Sequence, residues 1–282
     1  MPSAIALIML GIGINLTFRD FLRVFVKPRA IITGLICQLI LLPLIAFLLV
    51  WWWPIEPIFK VGIIIIASAP GGTTSNLVTH LLNGRVALSV SLTSFNSFAV
   101  LLTIPFFVNL GLSLFLDNGY DISISLRDTL FNIFFTVVLP VITGVIINEY
   151  VRKTNIIKRY TRILLPILLI SIVFIALFSG DQNPTNAYLN NLHLIFPLLL
   201  LNLLTTSFGF LVARKMKLNH DENYTIAVEM GLQNSALAIF VASQIMNDAH
   251  LELVAVMYGS FSFFTTIIIA WFLKNHTNIQ HT

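Results

Sequence analysis

Residues 62–82 read G-I-I-I-I-A-S-A-P-G-G-T-T-S-N-L-V-T-H-L-L. A run apolar enough for a membrane is interrupted at its middle by Ala69, Pro70, Gly71 and Gly72, followed by Thr73, Thr74, Ser75 and Asn76. Proline lacks an amide donor and glycine relaxes the backbone, so a helix unwinds there. Carbonyls freed at membrane depth are tolerated only where they face protein, water or a bound ion. A second stretch, residues 224–240, reads Y-T-I-A-V-E-M-G-L-Q-N-S-A-L-A-I-F and sets Glu229, Gly231, Gln233, Asn234 and Ser235 between apolar flanks. A charge at the bilayer centre costs at least about 2.5 kcal/mol on the mildest scale, which makes Glu229 a functional candidate by default. A proline–glycine break also serves as a plain packing kink, and a lone intramembrane Glu as a protonated structural group. Two such breaks in one chain, each dense in side-chain oxygens, favour a site over both.

The rest of the chain agrees with a membrane setting. Of 282 residues, 57% are hydrophobic and 10% charged, and the mean hydropathy is +0.91. Soluble domains carry about 25% charged residues, so these charges are too few to coat a water-facing surface. A hydrocarbon core about 30 Å thick takes about 20 apolar helical residues to cross. Apolar runs bounded by turn residues and charges predict an all-α polytopic membrane protein with nine spans, near 1–16, 30–53, 58–82, 86–115, 129–149, 163–180, 192–213, 224–247 and 251–273. The runs lack the period-2 alternation of a transmembrane barrel.

Charge orders the connections. Fourteen of the 16 Lys and Arg fall in alternate connections and the C-terminal tail, with Lys60 and Arg127 at the edges of the others. Glu56, Asp117, Asp121, Asp181, Asp248 and Glu252 occupy the opposite set. The positive-inside rule then puts the N-terminus outside and the C-terminus in the cytoplasm. The net charge of +4 reflects this sorting, and no basic stripe interleaved with aromatics suggests nucleic acid. The first span is short: either it runs on amphipathically towards Phe25, or an upstream helix is absent from this chain. No cleavable signal peptide is evident.

The two interrupted spans are the third and eighth, so they cross the membrane in opposite directions. Two inverted repeats of five helices, near 1–115 and 129–273, give that spacing if the first repeat lacks its first helix. Paired interrupted helices in the two halves are the sequence pointer to a transporter's central site.

Neutral side-chain oxygens plus one carboxylate suit a hard monovalent cation such as Na⁺. The oxygen-bearing set is Gln38, Thr73, Thr74, Ser75, Asn76, Ser89, Thr93, Glu229, Gln233 and Asn234. Ser89 and Thr93, four apart, share one helical face. Catalytic zinc prefers His and Cys with carboxylate, which this set lacks. His80 stands alone inside a span, and Cys37 is the single cysteine. No H-E-x-x-H, G-x-S-x-G or Walker loop is present, so an enzyme or nucleotide-driven pump is not expected.

The motifs A-P-G-G-T-T-S-N (69–76), E-M-G-L-Q-N-S (229–235) and L-I-M-L-G-I-G-I-N-L-T-F-R-D-F (7–21) resemble the bile acid:sodium symporter family over essentially the whole chain. The resemblance implies a panel domain and a core domain, the core built around two crossing, unwound helices; this chain looks like a nine-helix member, with a panel short by one helix. It implies one sodium site at Ser75, Asn76, Ser89, Thr93 and Glu229. A second falls on Gln38, Glu229 and Gln233 with the backbone carbonyls of Met230 and Leu232, and substrate contacts fall on Thr73 and Asn234. Some bacterial members that take bile acids carry a His-Asn pair where this chain has Phe263-Phe264-Thr265-Thr266.

The expectation is a symporter in a bacterial inner membrane, coupling two Na⁺ to a small organic anion, bile-acid-like or a short hydroxy- or keto-acid. Its partners are that anion and the lipid bilayer, with no organic cofactor, nucleic acid or obligate protein partner. The alternatives are a proton-coupled or uncoupled carrier of the same fold, a membrane-embedded enzyme, and a sensor that no longer transports.

Overall fold

A computed structural model describes residues 2–116, 126–151 and 188–278, and all regular structure among them is helical. The sequence-predicted span 163–180, the basic segment 152–162 and Asp117, Asp121 and Asp181 lie outside the described residues. Among the described residues, six helices are long and apolar enough to cross a membrane: Pro28–Trp52, Val86–Phe115, Arg127–Tyr150, Leu192–Lys215, His220–Ile245 and Ala249–Asn275. Ile5–Asn15 and Pro57–Ser68 are shorter apolar helices.

The chain opens with α1 (Pro2–Asn15), and α2 (Phe18–Val26) follows after a tight break. The Asp20 carboxylate receives the Thr17 amide and the Thr17 hydroxyl, each at 2.8 Å, which caps α2 and separates it from α1. α2 exposes Phe18, Leu22, Phe25 and Val26 while Asp20 is buried, the two-faced pattern of a helix lying at a membrane surface.

α3 (Pro28–Ile36) passes through a π turn (Cys37–Leu41) into α4 (Leu42–Trp52). Pro43 has no amide to donate and its ring crowds the carbonyl four residues back. The ladder widens into the π turn just before it, and Gln38 sits in that turn. The same logic holds where α8 (Leu126–Ile133) meets α9 (Leu139–Tyr150) through a π turn (Phe134–Val138), with Pro140 following. π turns inside α-helices frequently mark functional sites.

α1 packs chiefly along α9. Gly13 and Gly144 face each other there, and a methyl group on Gly13 would stand only 3.0 Å from the Gly144 Cα. Small residues let the two backbones approach, the usual packing device within a bilayer. Elsewhere α5 (Pro57–Ser68) packs on α7 (Val86–Phe115) and on α13 (Ala249–Asn278). α10 (Ile195–Lys215) packs on both α11 (His220–Gly231) and α13. Ile63, Ile64, Ile65 and Ile66 of α5 are wholly buried. By contrast Trp51, Trp52, Leu102 and Phe106 are exposed, as lipid-facing side chains would be.

Both helix interruptions form. α5 ends at Ser68 and α6 (Thr73–Leu81) begins after an extended Gly72. α11 ends at Gly231, Leu232 is extended, and α12 (Ser235–Phe240) restarts behind Asn234. The interruptions meet: the Asn234 amide donates to the Ala69 carbonyl at 3.0 Å.

Candidate functional site

Glu229 stands at this meeting point on the last turn of α11, fully buried. Its Oε1 accepts from the Ser89 hydroxyl of α7 through a very short contact, and its Oε2 accepts from Gln38 Nε2 at 3.0 Å. The buried Ser75 hydroxyl, beside this carboxyl, donates to the Gly72 carbonyl at 2.7 Å. Ser89 Oγ lies 2.6 Å from Asn76 Oδ1, and Thr93 Oγ1 lies 3.4 Å from the same oxygen.

The Ser89 hydroxyl has a single hydrogen but stands within hydrogen-bond reach of two acceptors, Glu229 Oε1 and Asn76 Oδ1. Only one of the two can take that proton, and if it goes to Glu229, Asn76 Oδ1 is left with the longer contact from the Thr93 hydroxyl alone. Clustered oxygens with too few protons are the surroundings a small hard cation fits. Ser75, Asn76, Ser89, Thr93 and Glu229 are thus gathered in one place from α6, α7 and α11.

The second group lies on the other side of Glu229. Gln38 Nε2 donates to the Glu229 backbone carbonyl at 3.1 Å as well as to its carboxylate. Gln233 Nε2 donates to the Met230 carbonyl at 2.7 Å, while its buried Oε1 has no partner. A methyl group on Gly71 would stand 2.7 Å from the Leu232 carbonyl oxygen and 3.2 Å from Glu229 Oε2. Gly71 is therefore what lets the first interruption rest directly on the second. Asn234 Oδ1 accepts the Leu237 amide at 3.2 Å and caps α12. Thr73 opens α6, and its side chain lies outside the described residues. Thr74 is half-buried one residue further on, and His80 is exposed. Among the described residues no three His, Cys, Asp or Glu come together as a metal-binding group.

The sequence reading missed a set of supporting donors. Asn202 of α10 donates through Nδ2 to the Gly231 carbonyl at 2.8 Å, and the Tyr258 hydroxyl donates to the same carbonyl at 2.7 Å. Thr265 Oγ1 donates to Asn202 Oδ1 at 2.8 Å, and Thr266 Oγ1 lies 2.9 Å from Asn202 Nδ2. Asn96 Nδ2 donates to Gln38 Oε1 at 2.5 Å. The carbonyls freed where α11 unwinds are met by side chains from other helices, as buried backbone acceptors require.

Two cavities flank the site. Pro70, Gly71, Gly72, Thr93, Asn96 and Asn234 line a space of about 10 Å³ at the crossing, with Met9 and Ile12 of α1 closing its far side. That is room for about one water, so the crossing is closed in this conformation. A larger cavity of about 320 Å³ is lined by Arg23, Lys27, Arg85, Ser91 and Glu222. Lys27 and Arg85 reach Glu222 at 3.2 and 3.8 Å, and Arg85 reaches Asp221 at 3.4 Å.

Two interrupted apolar helices touching at a buried carboxylate and a surplus of oxygens describe a membrane carrier. Residues 2–183 match the model of the sodium bile acid symporter family, and the chain belongs to that family, whose characterised relatives are transporters. The chain is 31% identical over 240 residues to the uncharacterized sodium-dependent transporter YocS of Bacillus subtilis, covering 85% of this chain and 72% of that protein. It is 28% identical over 236 residues to the probable sodium/metabolite cotransporter BASS1 of Arabidopsis thaliana chloroplasts. There the match covers 84% of this chain but 57% of the relative's length. With the human ileal sodium/bile acid cotransporter it shares 29% over 275 residues, 95% of this chain and 76% of that protein.

Proposed function

We propose that the chain is a sodium-coupled symporter of a small organic anion, working by alternating access in a bacterial inner membrane. The observation that carries this reading is the oxygen cluster around Glu229 at the meeting of the two interruptions, with more acceptors than protons. Ser75, Asn76, Ser89, Thr93 and Glu229 hold one Na⁺. Gln38, Glu229, Gln233 and the carbonyls of Met230 and Leu232 hold a second. Each ion is a co-substrate, and binding it neutralises Glu229 and ties α6 and α7 to the end of α11. The anion's carboxylate meets Thr73, Asn234 and the amides opening α6, where the helix dipole favours negative charge.

In the same reading nine spans form two inverted repeats, and a panel containing α1, α8 and α9 rocks against the remaining helices. The N-terminus lies outside. The 320 Å³ cavity beside Arg85 and Glu222 is then the cytoplasmic approach. The anion is a short hydroxy- or keto-acid or a bile-acid-like molecule.

The test is thermal stability of the detergent-purified protein in NaCl against KCl at matched ionic strength. A ligand that binds only the folded state, present at about 100 times its Kd, adds about 2.7 kcal/mol of stability. We expect a sodium-specific rise that Glu229→Ala abolishes. Coincident curves in the two salts would refute sodium binding and move the coupling to protons on Glu229.

A further inference from the structure

One buried group at the crossing is left unexplained by the ion sites. Asn96 lies on α7 three residues beyond Thr93 and is 1% exposed. Its Nδ2 donates to Gln38 Oε1 at 2.5 Å, whereas its Oδ1 has no hydrogen-bond partner. Asn96 also lines the small cavity at the crossing, beside Gly71, Gly72, Thr93 and Asn234.

The orientation of both amides follows from Glu229. Its Oε1 accepts from Ser89 and its Oε2 from Gln38 Nε2. An amide that gives its NH₂ to a carboxylate turns its oxygen the other way. Gln38 Oε1 therefore faces Asn96, Asn96 answers with its own NH₂, and the Asn96 oxygen is the atom left over. The end of this chain of amides is set by what happens at the carboxylate.

We propose that Gln38 and Asn96 form an amide relay that presents a hydrogen-bond acceptor to the small cavity at the crossing, beside the proposed anion contact Asn234, when Glu229 is free, and a donor when sodium occupies the second site. The proposal rests on the sodium reading above and deepens it. An ion beside Glu229 is met by the Gln38 oxygen, not its NH₂. The Gln38 amide then faces Asn96 with its NH₂, Asn96 reverses to accept, and the Asn96 NH₂ takes the place of its oxygen on the cavity side. A carboxylate is repelled by a lone acceptor and held by an NH₂. The relay thus admits the anion after the ion, and it makes Asn96 a specificity-determining contact for a carboxylate-bearing substrate.

The test reads the sodium concentration at half-maximal thermal stabilisation in detergent, without any anion substrate. Aspartate has no NH₂, so Asn96→Asp accepts only and holds Gln38 with its oxygen towards Glu229, ready for the ion. The midpoint should fall about threefold to tenfold, the worth of about one net hydrogen bond. A bare charge effect would do the same, so the cycle is repeated in Gln38→Leu, where the relay has no middle member. There Asn96→Asp should leave the midpoint unchanged. Equal shifts with and without Gln38, or no shift at all, overturn the relay while leaving sodium binding intact. Absence of sodium stabilisation in the wild type overturns the site reading and the relay with it. Should Asn96→Asp not fold, Asn96→Leu removes the partner of the Gln38 amide from both orientations alike, so its midpoint should stay within about twofold of wild type; a rise of about tenfold there overturns the relay, because Asn96 would then only prop the ion-bound arrangement.

Discussion

Gly71 and Gly72 are neighbours in sequence with opposite demands on space, which makes them an internal control for the crossing. A methyl group at Gly71 meets the Leu232 carbonyl oxygen at 2.7 Å and Glu229 Oε2 at 3.2 Å. One at Gly72 meets nothing nearer than the Asn234 side chain at 3.6 Å. Neither glycine has a positive φ, so a Gly71→Ala penalty comes from contact and not from backbone strain. Backbone carbonyls cannot rotate aside as a side-chain tip can, so the two interruptions must separate by a few tenths of an ångström. Overpacking of this kind costs about 1–3 kcal/mol. An ordinary contact such as Gly72→Ala stays within about 0.5 kcal/mol. The assay is a pair of thermal melts for each variant, one in KCl and one in NaCl. In KCl, Gly71→Ala should fall below wild type by that amount while Gly72→Ala overlays it. In NaCl, Gly71→Ala should also lose most of the sodium increment, because the displaced Leu232 and Glu229 oxygens belong to the proposed ion sites. A Gly71→Ala protein as stable and as sodium-responsive as wild type would refute the crossing as the ion-binding element. Equal damage from Gly72→Ala would refute the contact argument.

The donors under the end of α11 predict strong non-additivity. Tyr258→Phe leaves the Gly231 carbonyl with Asn202, and should cost about 1 kcal/mol in a melt. Asn202→Leu leaves it with Tyr258, at about 1–3 kcal/mol. The double variant orphans the carbonyl and should exceed the sum by at least about 0.5 kcal/mol; simple additivity would show that the carbonyl has another partner. On the basic side, Glu222→Gln removes the shared partner of Lys27 and Arg85. Both cations are half exposed, so the loss is about 1 kcal/mol or less. A cysteine replacing Ser91, which lines the cavity behind these pairs, should react about fivefold faster with a small thiol reagent, and high salt should produce the same acceleration in the parent. The native Cys37 is buried and contributes little background. An unchanged rate would show that the ion pairs do not restrain the cavity.

The interruptions were legible in the sequence because their causes are local. Pro70, Gly71 and Gly72 unwind a helix by their own chemistry, and Glu229 in an apolar run announces itself by its cost. The gathering of Ser75, Asn76, Ser89 and Thr93 needed more than that, since Ser and Thr are common on membrane helices. Only the resemblance to a family tied them to Glu229. Asn96, Asn202 and Tyr258 carried no local signature at all. Each is one of several polar residues on a long, mostly apolar helix, and its partner lies far off in the chain: Gln38 for Asn96, Gly231 for Asn202 and Tyr258. Which acceptor a lone amide meets is decided by how helices pack, not by spacing within one helix. A sharper question could have found them: every carbonyl freed by a predicted break needs a donor, and the polar residues of neighbouring spans are the only supply. The separation of α2 from α1 was half visible, since Thr17 and Asp20 form a capping pair at the point where the apolar run ends.

The same bookkeeping of donors explains why one carboxylate serves two ions in the proposed mechanism. Unwinding α11 exposes the carbonyls of Glu229, Met230, Gly231 and Leu232 to a region without water. Gln38, Gln233, Asn202 and Tyr258 supply donors to the first three, and Leu232 is pressed against Gly71. Asn202 and Tyr258, on other helices and outside both proposed ion sites, hold the end of α11 open whether or not ions are present, so the site is preorganised and an ion need not create it. What remains unsatisfied is electrostatic: acceptors at Asn76, Asn96, Glu229 and Gln233 outnumber the protons available to them. An ion at either side of Glu229 relieves part of that surplus, and the carboxylate shared between the two sites makes their occupancies interdependent. Because the ligands come from α6, α7, α11 and the π turn at Gln38, relieving the surplus also fastens four separate elements together. Ion binding and closure of the crossing are then one event, which is the property a symporter needs in order not to leak sodium without its anion.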